Sequence, residues 1–388
     1  MRKFLLCAVG VCLLLFGAPL QAQETPILAR LMRLVPFERF SSAELTNGVD
    51  LITYIDHVAL QKALPNSERP ASFEDLQARR ETPSVRWYMQ GLRFPESTDS
   101  NLLNAAIYGE QMRKSVGFDY YTVDQALSFA ARPNTGRLYT GKFDQAAVQR
   151  AFLARDYARL ERDDLIVLCG DPECSADRMS ASDADPANPF GGAFRSRHPL
   201  ALAEDLIFSA SSMPIFEAMI AAYEDGSPSL LQNDAMRALL DALNAEGTVV
   251  QAIFFRDVPS LTNAPRIAPY ALGAIVHVLR ENGDQPNYIA LVYDAQRDAQ
   301  AIAADLSARV RRAEKFADRI RQSGGSFGAV QIVQAESDAP YVLLLPINSR
   351  APRGIPQDAI ATPAPLAVFG NLAFSLQNLD LDFLATSP

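Results

Sequence analysis

Apolar residues recur along this chain in two rhythms, and the switch between them predicts its elements. Thr248 to Phe255 (TVVQAIFF) and Leu165 to Cys169 (LIVLC) are short, almost unbroken apolar runs rich in β-branched and aromatic residues, which predicts buried strands. Arg137–Phe143, Leu206–Ser209, Ala271–Arg280, Asn287–Tyr293, Phe327–Val333 and Tyr341–Ile347 read as further strands, with Asn282-Gly283 as the hairpin turn between the third and fourth of these. Helical spacing appears in Gln145–Arg159, opened by Asp144, and in the stripe Ile302, Leu306, Val310, Ala313, Phe316 and Ile320, opened by Asp294 and closed at Gly324-Gly325. Met213-Pro214 opens a helix with proline in its tolerated first turn, and Ser229 has capping-box spacing to Gln232 before a second helix that ends at Gly247. Leu366–Leu379 predicts a last helix, after a proline-rich connection from Pro346 to Pro365.

Residues 23 to about 130 read as mainly helical, punctuated by Pro36, Pro65, Pro70, Pro83 and Pro95. Asn101–Val116 is one such helix. Val49–Leu64 is open between a helix throughout and a strand (Leu51–Ile55) entering a helix.

Aligning Asn287–Tyr293 with Arg137–Phe143 brings a following helix and two following strands into the same order, at an offset of about 150 residues, a domain-sized spacing. The expectation is therefore an α+β protein of tandem ferredoxin-like (βαββαβ-type) modules with antiparallel or mixed sheets, a tandem repeat preceded by a mostly helical segment. The boundaries are 1–22 for a signal peptide, 23–130 for the helical segment, 136–257 for the first module and 270–388 for the second with its C-terminal helix.

The signal-peptide reading rests on the first residues. Arg2 and Lys3 precede an uncharged apolar run from Phe4 to Phe16, Gly17 and Pro19 break it, and Leu20-Gln21-Ala22 offers a cleavage site. The run is shorter than the roughly 20 residues that span a bilayer. Val11 before Cys12 and Leu6 before Cys7 do not suit lipidation. The expectation is a secreted or periplasmic protein with no transmembrane segment in its mature chain.

Removing 22 residues leaves 366 and moves the net charge from −9 to −11. That acidity, without a basic cluster, excludes nucleic acid as a natural partner. Arginine greatly outnumbers lysine, which occurs at only five positions, and no Asn-x-Ser/Thr acceptor occurs; both suit a bacterial envelope protein.

Cys7 and Cys12 leave with the signal. Cys169 and Cys174 remain, flanking Gly170 and Pro172, and an exported protein would join them in a disulfide. A redox-active pair, a zinc site and two free thiols are the other readings of the same spacing.

Candidate chemistry is sparse. Gly324-Gly-Ser-Phe-Gly328 matches the nucleophile pattern G-x-S-x-G, but it follows a helix and precedes a strand, and no histidine comes after Ser326. Of the mature chain's histidines, His57 adjoins Asp56, which adjacency alone does not turn into a pair. His198 lies in a small basic loop, Arg195–Pro199, and His277 shares a strand face with Ile275 and Leu279. The acidic loop holds Asp171, Glu173, Asp177, Asp183 and Asp185. Asp183 and Asp185 are the candidate metal ligands, for weak calcium binding, although Asn188 and Phe194 stand where an EF-hand needs glycine and glutamate. No catalytic residue and no cofactor is implied.

The reading that follows is an exported, soluble, non-enzymatic binding or interaction module with a protein or extracellular ligand as partner. An exported hydrolase using acidic residues, Asp56 among them, and a periplasmic solute-binding protein are the alternatives.

Overall fold

The computed structural model describes residues 26–36, 51–64, 67–91, 100–131, 134–170, 174, 184–226, 229–256, 266–349, 363–377 and 380–385. The signal-peptide segment, Asp171, Glu173, Asp177 and Asp183 lie outside them, as does most of the proline-rich connection. Thirteen strands form one sheet: β1 (Leu51–Asp56), β2 (Val123–Ala131), β3 (Asn134–Gly141), β4 (Ala158–Arg162), β5 (Leu165–Cys169), β6 (Leu200–Leu202), β7 (Leu206–Ala210), β8 (Thr248–Phe255), β9 (Leu272–Leu279), β10 (Asn287–Tyr293), β11 (Gly325–Phe327), β12 (Gln331–Val333) and β13 (Tyr341–Ser349). Their order is β11-β13-β10-β9-β8-β1-β2-β3-β7-β6-β5-β4, with β12 also on β13. Every pairing is antiparallel.

This corrects the expected tandem ferredoxin-like modules. The finding that overturns them is β1, which pairs with β2 on one side and with β8 on the other and so fuses both halves of the chain into a single sheet. A ferredoxin-like unit also returns its crossover helix directly to the same small sheet. Here the helix after β3 leads instead to β4, at the far end, and the chain works back through β5 and β6 to β7 beside β3. On the other side of β1–β8 the meander β8-β9-β10 is likewise followed by helix and closed by a late strand, β13, beside β10. The likeness in element order lies within one sheet.

Helices cover both faces. On one, α1 (Ile27–Met32), α8 (Met213–Glu224) and α9 (Asp234–Glu246) pack Leu31, Phe216, Met219, Met236 and Leu243 onto Tyr54, Phe129, Phe208, Phe254, Ala290 and Leu344. The other face has two groups. Over β1–β3 and β7 lie α2 (His57–Ala63), α3 (Phe73–Arg79), α4 (Pro83–Gly91), α5 (Ser100–Ala106), α6 (Glu110–Val116) and α7 (Gln145–Leu153), around Ile55, Tyr139, Phe152 and Ile207. Over β9, β10 and β13 lie α10 (Gln296–Arg312), α11 (Glu314–Gln322) and α12 (Ala364–Gln377), around Ile275, Ile289, Leu343, Phe316 and Phe369. Two-sided cover explains why the central strands read as continuous apolar runs: β10 alternates Tyr288, Ala290 and Val292 into the first layer with Ile289, Leu291 and Tyr293 into the second.

Local chemistry sets the element ends. Asp56 closes β1 and opens α2, its carboxylate accepting from Ala59 N at 2.8 Å, so the strand-entering-helix version of Val49–Leu64 is the one adopted. Asp144 caps α7 in the same way, but that helix ends at Leu153, and Ala158–Arg162 becomes an edge strand with its charged side chains in solvent. Gly109, at φ +51°, splits Asn101–Val116 into α5 and α6. Ser229 caps a short 3-10 turn, and Asn233, not Ser229, caps α9. The stripe from Ile302 to Ile320 is continuous in space, although the backbone turns at Ala313 between α10 and α11.

Candidate functional site

The residues singled out from sequence do not converge. Asp56 spends its carboxylate on the α2 N-terminus, and burial pushes its pKa up. His57 turns to other partners: Nδ1 lies 3.3 Å from the Tyr88 hydroxyl and the ring stands edge-on to Tyr120. Burial, helped by the Arg69 guanidinium, holds its pKa well below the ordinary value. Arg69 itself is tied down by Asp124 at 3.0 Å and by the Tyr121 carbonyl at 2.7 Å. His198 is buried rather than on an open loop, with Nδ1 3.5 Å from Arg137 Nη1, and burial first and Arg137 second depress its pKa to about 3. Asp185 bonds the Arg155 guanidinium at 2.6 Å and the Ala187 amide at 3.1 Å, which makes it a turn anchor. Among the described residues no group of three or more His, Cys, Asp or Glu side chains is arranged to hold a metal. Asp183, the other candidate ligand, lies outside them.

Cys169 and Cys174 are joined by a disulfide, with Cα atoms 5.0 Å apart. Cys169 ends β5 in the core, so the bond pins the start of the acidic loop to the sheet. Among the described residues no helix is long and apolar enough to cross a membrane.

Gly324–Gly328 is a packing device. Gly324, at φ +83°, ends α11, and a Cβ on Gly325 would stand 2.6 Å from the Ile320 side chain. Ser326 Oγ donates to the Asn348 carbonyl at 3.2 Å. The close approach that the glycines permit builds an open groove of about 530 Å³ between α10, α11 and β11. Its floor is apolar, from Val310, Ala317, Phe327 and Leu345, and Arg311 and Arg321 stand at its rim. From Arg309 to Arg321 the chain carries six cationic side chains and two acidic ones, against a net charge of −9 overall, a local basic cluster that corrects the expectation of a chain without one. Arg309 and Arg312 pair with Asp305, Arg319 with Asp380, and Arg321 with Asp318 in an exposed pair. Arg311 has no carboxylate partner among the described residues.

The groove adjoins a sheet edge. β11 and β12 both pair with the same side of β13, and no described strand lies beyond them. Ser326, Gln331 and Ile332 of that edge are exposed. The opposite edge, β4, is blunted by charge: Arg159 pairs with Glu161 at 2.6 Å and Arg162 with Glu217 at 2.6 Å.

A second polar feature lies inside the protein, where the two helical groups of one face meet. Gln251 (β8), His277 (β9) and Asn287 (β10) are cross-strand partners in one row, all fully buried. The β8–β9 register shifts between Val249 and Gln251, just where the row begins. Asn287 Nδ2 donates to the Pro365 carbonyl at 3.0 Å, so its Oδ1 is an acceptor. Gln285 Nε2 donates to the Ala63 carbonyl at 2.6 Å, so its Oε1 accepts from His277 Nε2 at 3.3 Å and leaves His277 Nδ1 as an acceptor. Burial lowers the His277 pKa to about 4, against a smaller opposing effect of Gln285. Gln251 Nε2 and Oε1, His277 Nδ1 and Asn287 Oδ1 have no hydrogen-bond partner among the described residues. At about 1–3 kcal/mol for each unsatisfied buried group, four such atoms would cost about 4–12 kcal/mol. That is the size of a typical domain's whole stability, about 5–15 kcal/mol.

The sequence identified His277 and its strand face but missed this row. The signals were a glutamine inside an otherwise apolar strand and an asparagine opening another; their alignment depended on register. Comparison with family models, with curated proteins and with solved structures finds no match.

Proposed function

We propose that this is an exported, non-enzymatic binding protein of the bacterial envelope or extracellular space, and that the groove beside β11 receives an acidic, extended segment of a partner protein. The observation that carries the reading is a concentration of arginines over an apolar floor, next to a strand edge that no described strand covers, in an otherwise acidic protein. An extended segment adds main-chain hydrogen bonds to such an edge, and alternate side chains enter the adjoining groove. Arg311 and Arg321 favour carboxylates there and steer their approach. The signal-peptide grammar of residues 1–22 and the disulfide, a bond that persists in oxidising compartments, support the location.

The test uses a fluorescein-labelled peptide alternating aspartate and valine, titrated into the mature protein. Replacing Arg311 and Arg321 together by glutamate is expected to weaken binding by about tenfold or more, since two exposed attractions of about 0.2–1 kcal/mol each become repulsions. Binding of equal strength by wild type and double variant, or none by wild type, refutes the assignment.

A further inference from the structure

The row Gln251–His277–Asn287 presents three acceptors, Gln251 Oε1, His277 Nδ1 and Asn287 Oδ1, and one donor group, the Gln251 amide. All three residues are fully buried; Asn287 reaches the Pro365 carbonyl at the start of α12, and Gln285, the partner of His277, reaches the Ala63 carbonyl at the end of α2. None of the three side chains is a carboxylate, a lysine or an arginine. A charged guest would therefore lose its hydration without gaining a counter-charge. A neutral guest with O–H groups can donate to the acceptors and accept from the amide.

We propose that this row is an internal binding site for a small, uncharged hydroxylic molecule, either water or a short polyol. Its place explains the arrangement. Ile55 continues the row on one side and Ile347 on the other, so the polar atoms are walled by the two apolar cores that meet here. Buried waters characteristically make about three hydrogen bonds to polar groups the protein itself leaves unsatisfied, which is the complement this row offers. The rival arrangement is internal: a turn of the Gln251 amide onto His277 Nδ1, closing the row with no guest.

Nitrogen NMR of mature protein labelled at histidine separates these. His277 is assigned by its loss in His277→Asn. In wild type and in Gln251→Leu alike, His277 Nδ1 is expected to show the shift of an acceptor engaged in a hydrogen bond. Return of Nδ1 to the free-acceptor shift in Gln251→Leu means that Gln251 was the donor, and overturns the proposal. Should that variant fail to fold, wild type alone decides. A saturable shift of the His277 nitrogens on titration with glycerol identifies a polyol site. A glycerol-insensitive imidazole with a cross-peak to a long-lived water identifies water. Absence of both overturns the proposal.

Discussion

Acidification should destabilise this protein through its buried histidines well before its carboxylates titrate. His198 and His277 are 6% and 0% exposed, and burial holds their pKa values at about 3 and about 4. In the unfolded chain each returns to about 6.5. Unfolding therefore takes up protons once the pH falls below that value, and stability declines as pH drops from about 6.5 towards the folded-state values. Between pH 8 and pH 5 each histidine shifts the balance by about 2 kcal/mol, at about 1.4 kcal/mol per unit, and the two together by about 4 kcal/mol. His57, lowered in the same direction, adds to the loss. The depressed carboxylates Glu74, Asp75 and Asp205 act later, below their ordinary values. Asp56, whose carboxyl is raised by burial, opposes the trend. Urea unfolding followed by tryptophan and tyrosine fluorescence at the two pH values measures the difference. His198→Asn should reduce the acid sensitivity by about 2 kcal/mol. Equal stability at pH 8 and pH 5, or an acid sensitivity that His198→Asn and His277→Asn leave intact, would refute the burial argument.

Other outcomes follow from packing and covalent structure. Replacing both Cys169 and Cys174 by serine should cost about 2 kcal/mol by loop-closure entropy for so short a loop, read as a lower unfolding midpoint, with no free thiol titrating in the wild-type mature protein cut after Ala22. Phe254→Ala, at a fully buried position of β8 opposite Ile52 of β1, should cost about 3–5 kcal/mol, while Ile332→Ala on the exposed edge should cost far less. Gly117→Ala should destabilise by more than about 1 kcal/mol in the same assay, because φ is +78° and the new Cβ would meet the Ala147 main chain at 2.5 Å.

Much of the local structure was legible in the sequence, because most strands covered on both faces read as apolar runs; β2, whose Val123–Ala131 run is interrupted by Asp124, Gln125 and Ser128, was missed and fell within the stretch read as helical. Thr248–Phe255 and Leu165–Cys169 form at the predicted residues, as does the hairpin at Asn282-Gly283. Exposed or short elements gave no such signal: β4, with its sequence Ala-Arg-Leu-Glu-Arg, reads as a helix tail, and β6 has only three residues. The architecture went wrong at one place. Leu51–Asp56 lies in a stretch dominated by helices, and nothing local says that it pairs with Gln251–Phe254, some 200 residues on. Without that pairing the two halves look like separate modules. The candidate sites failed for the same reason. Arg311, Phe327 and Leu345 meet only after α10, α11 and β13 have packed, and Gln251, His277 and Asn287 align only through the register of three strands.

The central functional claim is that partner binding occurs at the β11–β12 edge. Hydrogen exchange of the mature protein with and without the aspartate–valine peptide tests it most directly. The account predicts new protection at main-chain amides between Gly325 and Val333 and along the Arg311–Arg321 stretch, with β4 unchanged. Protection confined to β4 or to another surface, or none at peptide concentrations that saturate the fluorescence signal, would contradict it.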